Sequence, residues 1–167
     1  EVFGANIIPI RGGPTDYKIS VEQIKSVIKN NSAPIKVLFI DNPKCHIENY
    51  FGHEELHEII AFCQFHDILV FLDEVYVGLG TKSYLKNFTS HDNLIVSGSY
   101  SKLFAFPAIK AGYLVTNDSL KTQLEASRSS YELGYFDCKT IEFIYDHLEY
   151  FDNFVKRIVN KREEWRQ

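Results

Sequence analysis

Ser99-Tyr100-Ser101-Lys102-Leu103-Phe104-Ala105-Phe106-Pro107-Ala108-Ile109-Lys110-Ala111-Gly112 is the stretch around which this 167-residue chain is organised. The apolar run Leu94–Gly98 ahead of it reads as a strand, and a serine-rich turn leads from that strand to Lys102. Lys110 then stands just before a second apolar run, Tyr113-Leu114-Val115. A lysine lodged between apolar segments loses hydration that its ammonium needs, so it calls for a partner, neutralisation or a covalent role. By itself such a lysine is an ordinary exposed turn residue; a chemical role rests on what the neighbouring segments add.

Outward from this stretch, strand-like and helix-like segments alternate. Asn6–Ile10 reads as a short strand, followed by the turn cluster Arg11-Gly12-Gly13-Pro14. Ser20 with Gln23 forms a capping-box pattern, and Val21, Ile24, Val27 and Ile28 fall at helical spacing until Asn30-Asn31-Ser32-Ala33-Pro34 stops the helix. Ile35–Ile40 is a continuous apolar run of the kind expected for a strand covered on both faces. A second helix carries Glu54 and Glu55 in its first turn, where negative charge suits the dipole, and Leu56, Ile59, Ile60 and Cys63 on one face. Ile68–Leu72 is the next strand, and Asp118 is a candidate cap for a helix from Ser119 to Arg128. Asp137 to Trp165 reads as one long amphipathic helix with Ile141, Ile144, Tyr145, Leu148 and Phe151 on one stripe. Strands alternating with helices give a layered α/β domain whose site belongs at the strand ends.

Composition narrows the function. Hydrophobic residues make up 45% and charged residues 24% of the chain, values ordinary for a globular domain. The net charge of −4 comes with no basic run, so nucleic acid is not an expected partner. No apolar stretch reaches the roughly 18 residues that span a membrane, so no membrane association is expected either. Three cysteines, Cys45, Cys63 and Cys138, lack CxxC spacing, which argues against a disulfide framework and against zinc; a reducing, cytoplasmic setting is the expectation. The absence of methionine, even at position 1, reads as a chain that starts inside a longer protein.

Three strand ends carry polar groups that a plain core has no use for: Asp41-Asn42-Pro43-Lys44-Cys45, Asp73-Glu74-Val75-Tyr76, and the serine turn itself. An Asp after a strand is commonly a turn residue. Taken together, though, a carboxylate, a phenol, a lysine and two hydroxyls converge on one sheet edge. That set suits a cofactor with a cationic ring nitrogen, a phenolate, an aldehyde and a phosphate.

On these residues the chain resembles the fold-type I pyridoxal-phosphate-dependent aminotransferases, in the class I/II branch that includes histidinol-phosphate aminotransferase. Ser99-Tyr100-Ser101-Lys102 through Lys110-Ala111-Gly112 is similar to that family's lysine-attachment signature, with Lys110 where an arginine is usual. Asp73-x-x-Tyr76 is similar to its D-x-x-Y element. The resemblance implies a three-layer α/β/α large domain with a mostly parallel sheet over residues 1–136. It also implies that 137–167 form a long helix leading towards a small domain outside this chain. It implies an aminotransferase that moves an amino group from an amino acid or phosphorylated amine to a 2-oxo acid, working as a homodimer on pyridoxal 5′-phosphate. Lys102 would form the aldimine and act as base; Asp73 would sit by the pyridine nitrogen and Tyr76 by the phenolic oxygen. Ser99, Ser101 and Lys110 would hold the phosphate, Lys110 as a point charge without arginine's bidentate fork. Tyr131, Tyr135 and Phe136 would face a partner subunit or pack under the C-terminal helix.

One loop departs from the family pattern. Where a second asparagine normally contacts the ring's phenolic oxygen, this chain has Cys45, a weak donor. Either Asn42 takes over by a small shift or the contact is absent. The phosphate loop and the stacking aromatic residue of the family lie upstream of this sequence, so the segment alone is expected to bind the cofactor poorly. Decarboxylation on the same lysine is the alternative reaction, and a catalytically impaired paralogue would read similarly. His53-Glu54-Glu55-Leu56-His57 matches the letters of a zinc-hydrolase motif, but both histidines lie off the apolar face defined by Leu56, Ile59, Ile60 and Cys63; they read as solvent-facing, and no metal is expected. The lack of G-x-G-x-x-G after the first strand argues against a dinucleotide-binding fold.

Overall fold

The computed structural model describes residues 4–15, 17–44, 50–129 and 132–165. Helix α1 (Val21–Asn30) begins with the expected capping box: Ser20 Oγ accepts from the Gln23 N–H at 3.2 Å and Gln23 Oε1 accepts from the Ser20 N–H at 2.8 Å. Strand β1 is Val37–Asp41, helix α2 is His53–Phe65 and strand β2 is Leu69–Asp73. Strand β3 (Leu94–Ser99) runs into the short helix α3 (Tyr100–Leu103), and β4 (Gly112–Val115) returns beside it. The sheet order is β1-β2-β3-β4; the first three strands are parallel and β4 is antiparallel to β3. This is the mostly parallel α/β architecture expected from the alternation of elements.

The core lies between the sheet and helices α1 and α2. Leu56, Ile59, Ile60 and Cys63 turn inward, each at most 1% exposed, against Leu38, Ile40, Val70, Leu72, Leu94 and Val96. At about 25 cal/mol per Å² of apolar surface, this layer is the main source of the domain's stability. Burial on β1 alternates: Leu38 and Ile40 are inside, whereas Val37 and Phe39 are exposed, Phe39 stacking on Phe71 at 5.1 Å between ring centroids. The expectation that both faces of this strand are covered therefore fails. Asn6–Ile10 is not a strand either: no neighbouring strand pairs with it among the described residues, and Ile7 and Ile8 are exposed while Ile10 packs on the core.

The C-terminal region also differs from the single helix expected over 137–167. It forms α5 (Tyr135–Asp146) and α6 (Leu148–Trp165), divided at His147. The His147 N–H donates to the Ile144 carbonyl and its ring Nδ1 to the Phe143 carbonyl at 2.9 Å, while its own carbonyl accepts from the first turn of α6. The bend lets residues from both helices, Ile144 and Phe151, pack with Tyr100 and Ala111 in a second cluster around the lysine turn. Tyr145 and Leu148, assigned to the same buried stripe, remain exposed. Helix α4 (Asp118–Glu125) is capped by Asn117, whose Oδ1 accepts from the Leu120 N–H, one residue before the Asp118 expected to cap it.

Candidate active site

Strand register sets the site. Asp41 pairs with Asp73 across β1 and β2, and Asp73 with Ser97 across β2 and β3, so the last residues of β1 and β2 stand level with Ser97, two residues before the end of β3. Asp73 Oδ1 accepts two hydrogen bonds, from Ser97 Oγ at 2.9 Å and from the Val75 N–H at 3.1 Å. The second is an Asx-type turn that starts the chain toward Tyr76. Oδ2 takes no hydrogen bond among the described residues.

Lys102 sits in the last turn of α3, and its Nζ lies 5.6 Å from the centroid of the half-buried Tyr76 ring, within cation–π range. Two motifs read separately in the sequence thus meet. The lysine is exposed, not desolvated as its setting between apolar runs suggests, because Tyr100 takes the inward side of α3, stacking on Phe104. The turn after Tyr76 packs directly on this helix: Gly78 has φ +96°, and a Cβ there would lie 2.8 Å from Leu103 Cδ1. Glycine meets both needs at once.

The residues expected to hold a phosphate gather on one turn. Ser99 caps α3, its Oγ accepting from the Ser101 N–H at 3.1 Å and donating to the Ala111 carbonyl at 3.5 Å. Lys110 adjoins Ala111, exposed and in the left-handed region at φ 50°. The pairing of Ser99 with Gly112 holds the two arms together. Asn42 is engaged elsewhere. Buried at 6% exposure, it accepts from the Phe51 N–H through Oδ1 at 2.7 Å and donates from Nδ2 to the Phe51 carbonyl at 3.2 Å, bracing the loop between β1 and α2. Cys45 and Tyr131 lie outside the described residues.

Two polar residues next to this set were not singled out from sequence. Ser97 is hidden in an apolar strand, where only the register with Asp73 reveals it. Glu74 alternates to the opposite side from Asp73; it is buried and accepts from the Ser83 hydroxyl and, at 2.7 Å, from the Tyr84 N–H. Burial pushes its carboxyl above the usual value, with these two bonds and the nearby His53 charge opposing. Its signal was adjacency to Asp73 and nothing more.

The histidines of α2 serve the same loop. His57 Nδ1 lies 3.4 Å and His91 Nε2 2.9 Å from the hydroxyl of the fully buried Tyr84, and His53 stands edge-on to its ring. Both α2 histidines are exposed, as expected, and no cluster of three metal-ligating side chains occurs among the described residues. Burial holds the His91 imidazole below its ordinary 6.5, the His57 charge acts in the same direction, and Asp92 opposes. The folded state therefore binds fewer protons here than the unfolded chain, so this contribution is complete above about pH 6.5 and is lost as pH falls through the lowered value. Glu74 has the opposite sign and favours the fold as pH drops through its raised value toward the ordinary carboxylate range. Relative to the wild type, His91→Gln is expected to lose less, or gain more, in urea midpoint on acidification from about pH 7 to about pH 5.5, because the Glu74 contribution is common to both; an unchanged slope in the variant counts against His91.

Residues 2–137 match the family model for aminotransferase class I and II. A histidinol-phosphate aminotransferase of Trichodesmium erythraeum is 22% identical over 165 residues, covering 98% of this chain and 43% of that protein. Among solved structures, a decarboxylase from Sulfurospirillum multivorans superposes with a TM-score of 0.77 at 18% identity, covering 89% of this chain and 44% of that one. The histidinol-phosphate aminotransferase from Clostridium acetobutylicum gives a TM-score of 0.73 at 19% identity, covering 91% and 45%. The chain spans about two-fifths of the length of the curated relatives it matches. No helix among the described residues is long and apolar enough to cross a membrane. With the lysine turn, the Asp73–Tyr76 element and the sheet order all lying within the matched residues, the chain belongs to the pyridoxal-phosphate-dependent class I and II aminotransferase family.

Proposed function

We propose that the protein is an aminotransferase that binds pyridoxal 5′-phosphate across the C-terminal ends of β1–β3 and transfers an amino group from an amino acid or phosphorylated amine to a 2-oxo acid. The observation that carries this reading is the approach of Lys102 Nζ to the Tyr76 ring at 5.6 Å, at the strand end that also holds Asp73. The donor set fits the cofactor. Asp73 keeps Oδ2 as an acceptor for a ring N–H, the Tyr76 hydroxyl would donate to a phenolate, and Ser101 and Lys110 would supply a hydroxyl and a positive charge for a phosphate, joined by Ser99 once its hydroxyl turns from the Ala111 carbonyl 3.5 Å away.

When bound, the cofactor supplies an electron-accepting ring. The chain's own work is binding and proton handling. Asp73 would accept the ring nitrogen's N–H through Oδ2 and so hold a proton there. Lys102 Nζ takes the proton from the substrate Cα as general base. Lys110, with a single ammonium, contributes charge without bidentate geometry. A homodimer belongs to this reading, supported by Tyr135 and Phe136, 71% and 81% exposed at the start of α5; so does a reducing, cytoplasmic setting, supported by the free thiols Cys63 and Cys138.

The test is borohydride treatment of the full-length protein incubated with pyridoxal 5′-phosphate, followed by peptide mapping, with product analysis on a separate untreated sample given an amino acid and a 2-oxo acid. The cofactor mass is expected on the peptide containing Lys102, with a 2-oxo acid as product. Label on another lysine rejects the assignment, and carbon dioxide release without amino transfer rejects transamination in favour of decarboxylation.

A further inference from the structure

We infer that Ser97 is a positioning residue for the Asp73 carboxylate, fixing Oδ1 so that Oδ2 is presented to the cationic ring nitrogen. This rests on the cofactor binding proposed above.

A serine directly after Leu94-Ile95-Val96, with its side chain buried inside β3, is out of keeping with the apolar run before it. Ser97 is 9% exposed, and a buried hydroxyl costs free energy unless it is hydrogen-bonded. Its single donor proton goes to Asp73 Oδ1 at 2.9 Å, across the directly paired position of the neighbouring strand. Because the pleat puts paired residues on one face, the bond follows from register and needs no loop rearrangement. The Val75 N–H reaches the same oxygen at 3.1 Å. Two donors on one oxygen set the rotation of the carboxylate and leave the other oxygen in a defined direction.

Asp41 is the paired neighbour of Asp73 on β1 and Ser97 its paired neighbour on β3, so the hydroxyl holds the carboxylate from the β3 side of the sheet. Hydrogen bonds to a charged acceptor are among the stronger ones, so a single hydroxyl suffices.

The test uses Ser97→Ala, Ser97→Thr and Asp73→Ala in the full-length protein. The first measurement is a double-mutant cycle on urea unfolding without cofactor, where Ser97→Ala and Asp73→Ala are expected to be non-additive by about tenfold in the unfolding constant. The second is binding of ring-15N pyridoxal 5′-phosphate, with inorganic phosphate as a ring-free control. Ser97→Ala is expected to weaken pyridoxal 5′-phosphate about tenfold, or about 1.4 kcal/mol, and to move the ring 15N resonance toward the unprotonated position. It should leave the phosphate constant unchanged, and Ser97→Thr should restore both. Unchanged affinity and resonance in a wild-type protein that does bind the cofactor overturn the role of Ser97 and leave the proposed function standing. Additive effects in the cycle overturn the contact, and equal weakening of cofactor and phosphate overturns a role specific to Asp73. A wild-type protein that binds no pyridoxal 5′-phosphate overturns the proposed function, and this inference with it.

Discussion

Lys102→Ala is expected to lower amino-transfer turnover by about 10³-fold, the scale of losing a positioned general base, while leaving the fold intact. The two halves of that expectation come from different features. The turnover loss follows from the place of Nζ beside Tyr76, at the strand ends where Asp73 is held. The intact fold follows from exposure: α3 is anchored by Tyr100 on its inward side, and the lysine stem is not part of that cluster. What the substitution removes from the fold is one exposed cation–π contact, about 0.5–1 kcal/mol. Steady-state kinetics and urea midpoints on the same preparations separate the two. A variant that retains turnover would reject Lys102 as the base; one that unfolds at much lower urea would show that the residue matters for structure. Added small primary amines are expected to restore part of the lost turnover, which a purely structural defect would not permit.

Where sequence and structure agree, the reason is periodicity or local chemistry. The capping box at Ser20 and Gln23, the buried face of α2 and the parallel strands were legible because each depends on residues close in the chain. The convergence of Lys102 with Tyr76 was legible through motif spacing. What stayed hidden depends on register or on neighbours distant in sequence. Ser97 acquires meaning only when β3 lies beside β2. The break at His147 has no proline or glycine to announce it; it follows from two helices packing on one aromatic cluster, which amphipathic spacing alone reads as a continuous stripe. The open face of β1 was missed because a run of apolar residues looks the same whether one face or both are covered.

Asn42 is the residue whose role changed most between the two views, and Asn42→Ala is expected to destabilise the protein by about 2–4 kcal/mol. In the sequence it is the candidate replacement for a ring contact in the loop that contains Cys45. In the fold its amide is fully engaged, Oδ1 taking the Phe51 N–H at 2.7 Å and Nδ2 giving to the Phe51 carbonyl at 3.2 Å. Both partners are buried, at 6% and 8% exposure, and the Asn42 N–H also donates to the Asp73 carbonyl. Truncation leaves a backbone donor and acceptor unpaired in the core, each costing about 1–3 kcal/mol before relaxation. It also loosens the entry to α2, whose first turn begins just beyond Phe51. Asn42→Asp keeps an acceptor for the Phe51 N–H but sets a carboxylate oxygen against the Phe51 carbonyl, so an intermediate loss is expected. Urea unfolding without cofactor distinguishes the two roles. A residue that only touched the ring would change stability by less than about 0.5 kcal/mol and alter only the bound cofactor's absorbance. A brace lowers the urea midpoint whether or not cofactor is present, and because the loop it braces leaves the strand paired with Asp73, the loss of stability comes with weaker cofactor binding.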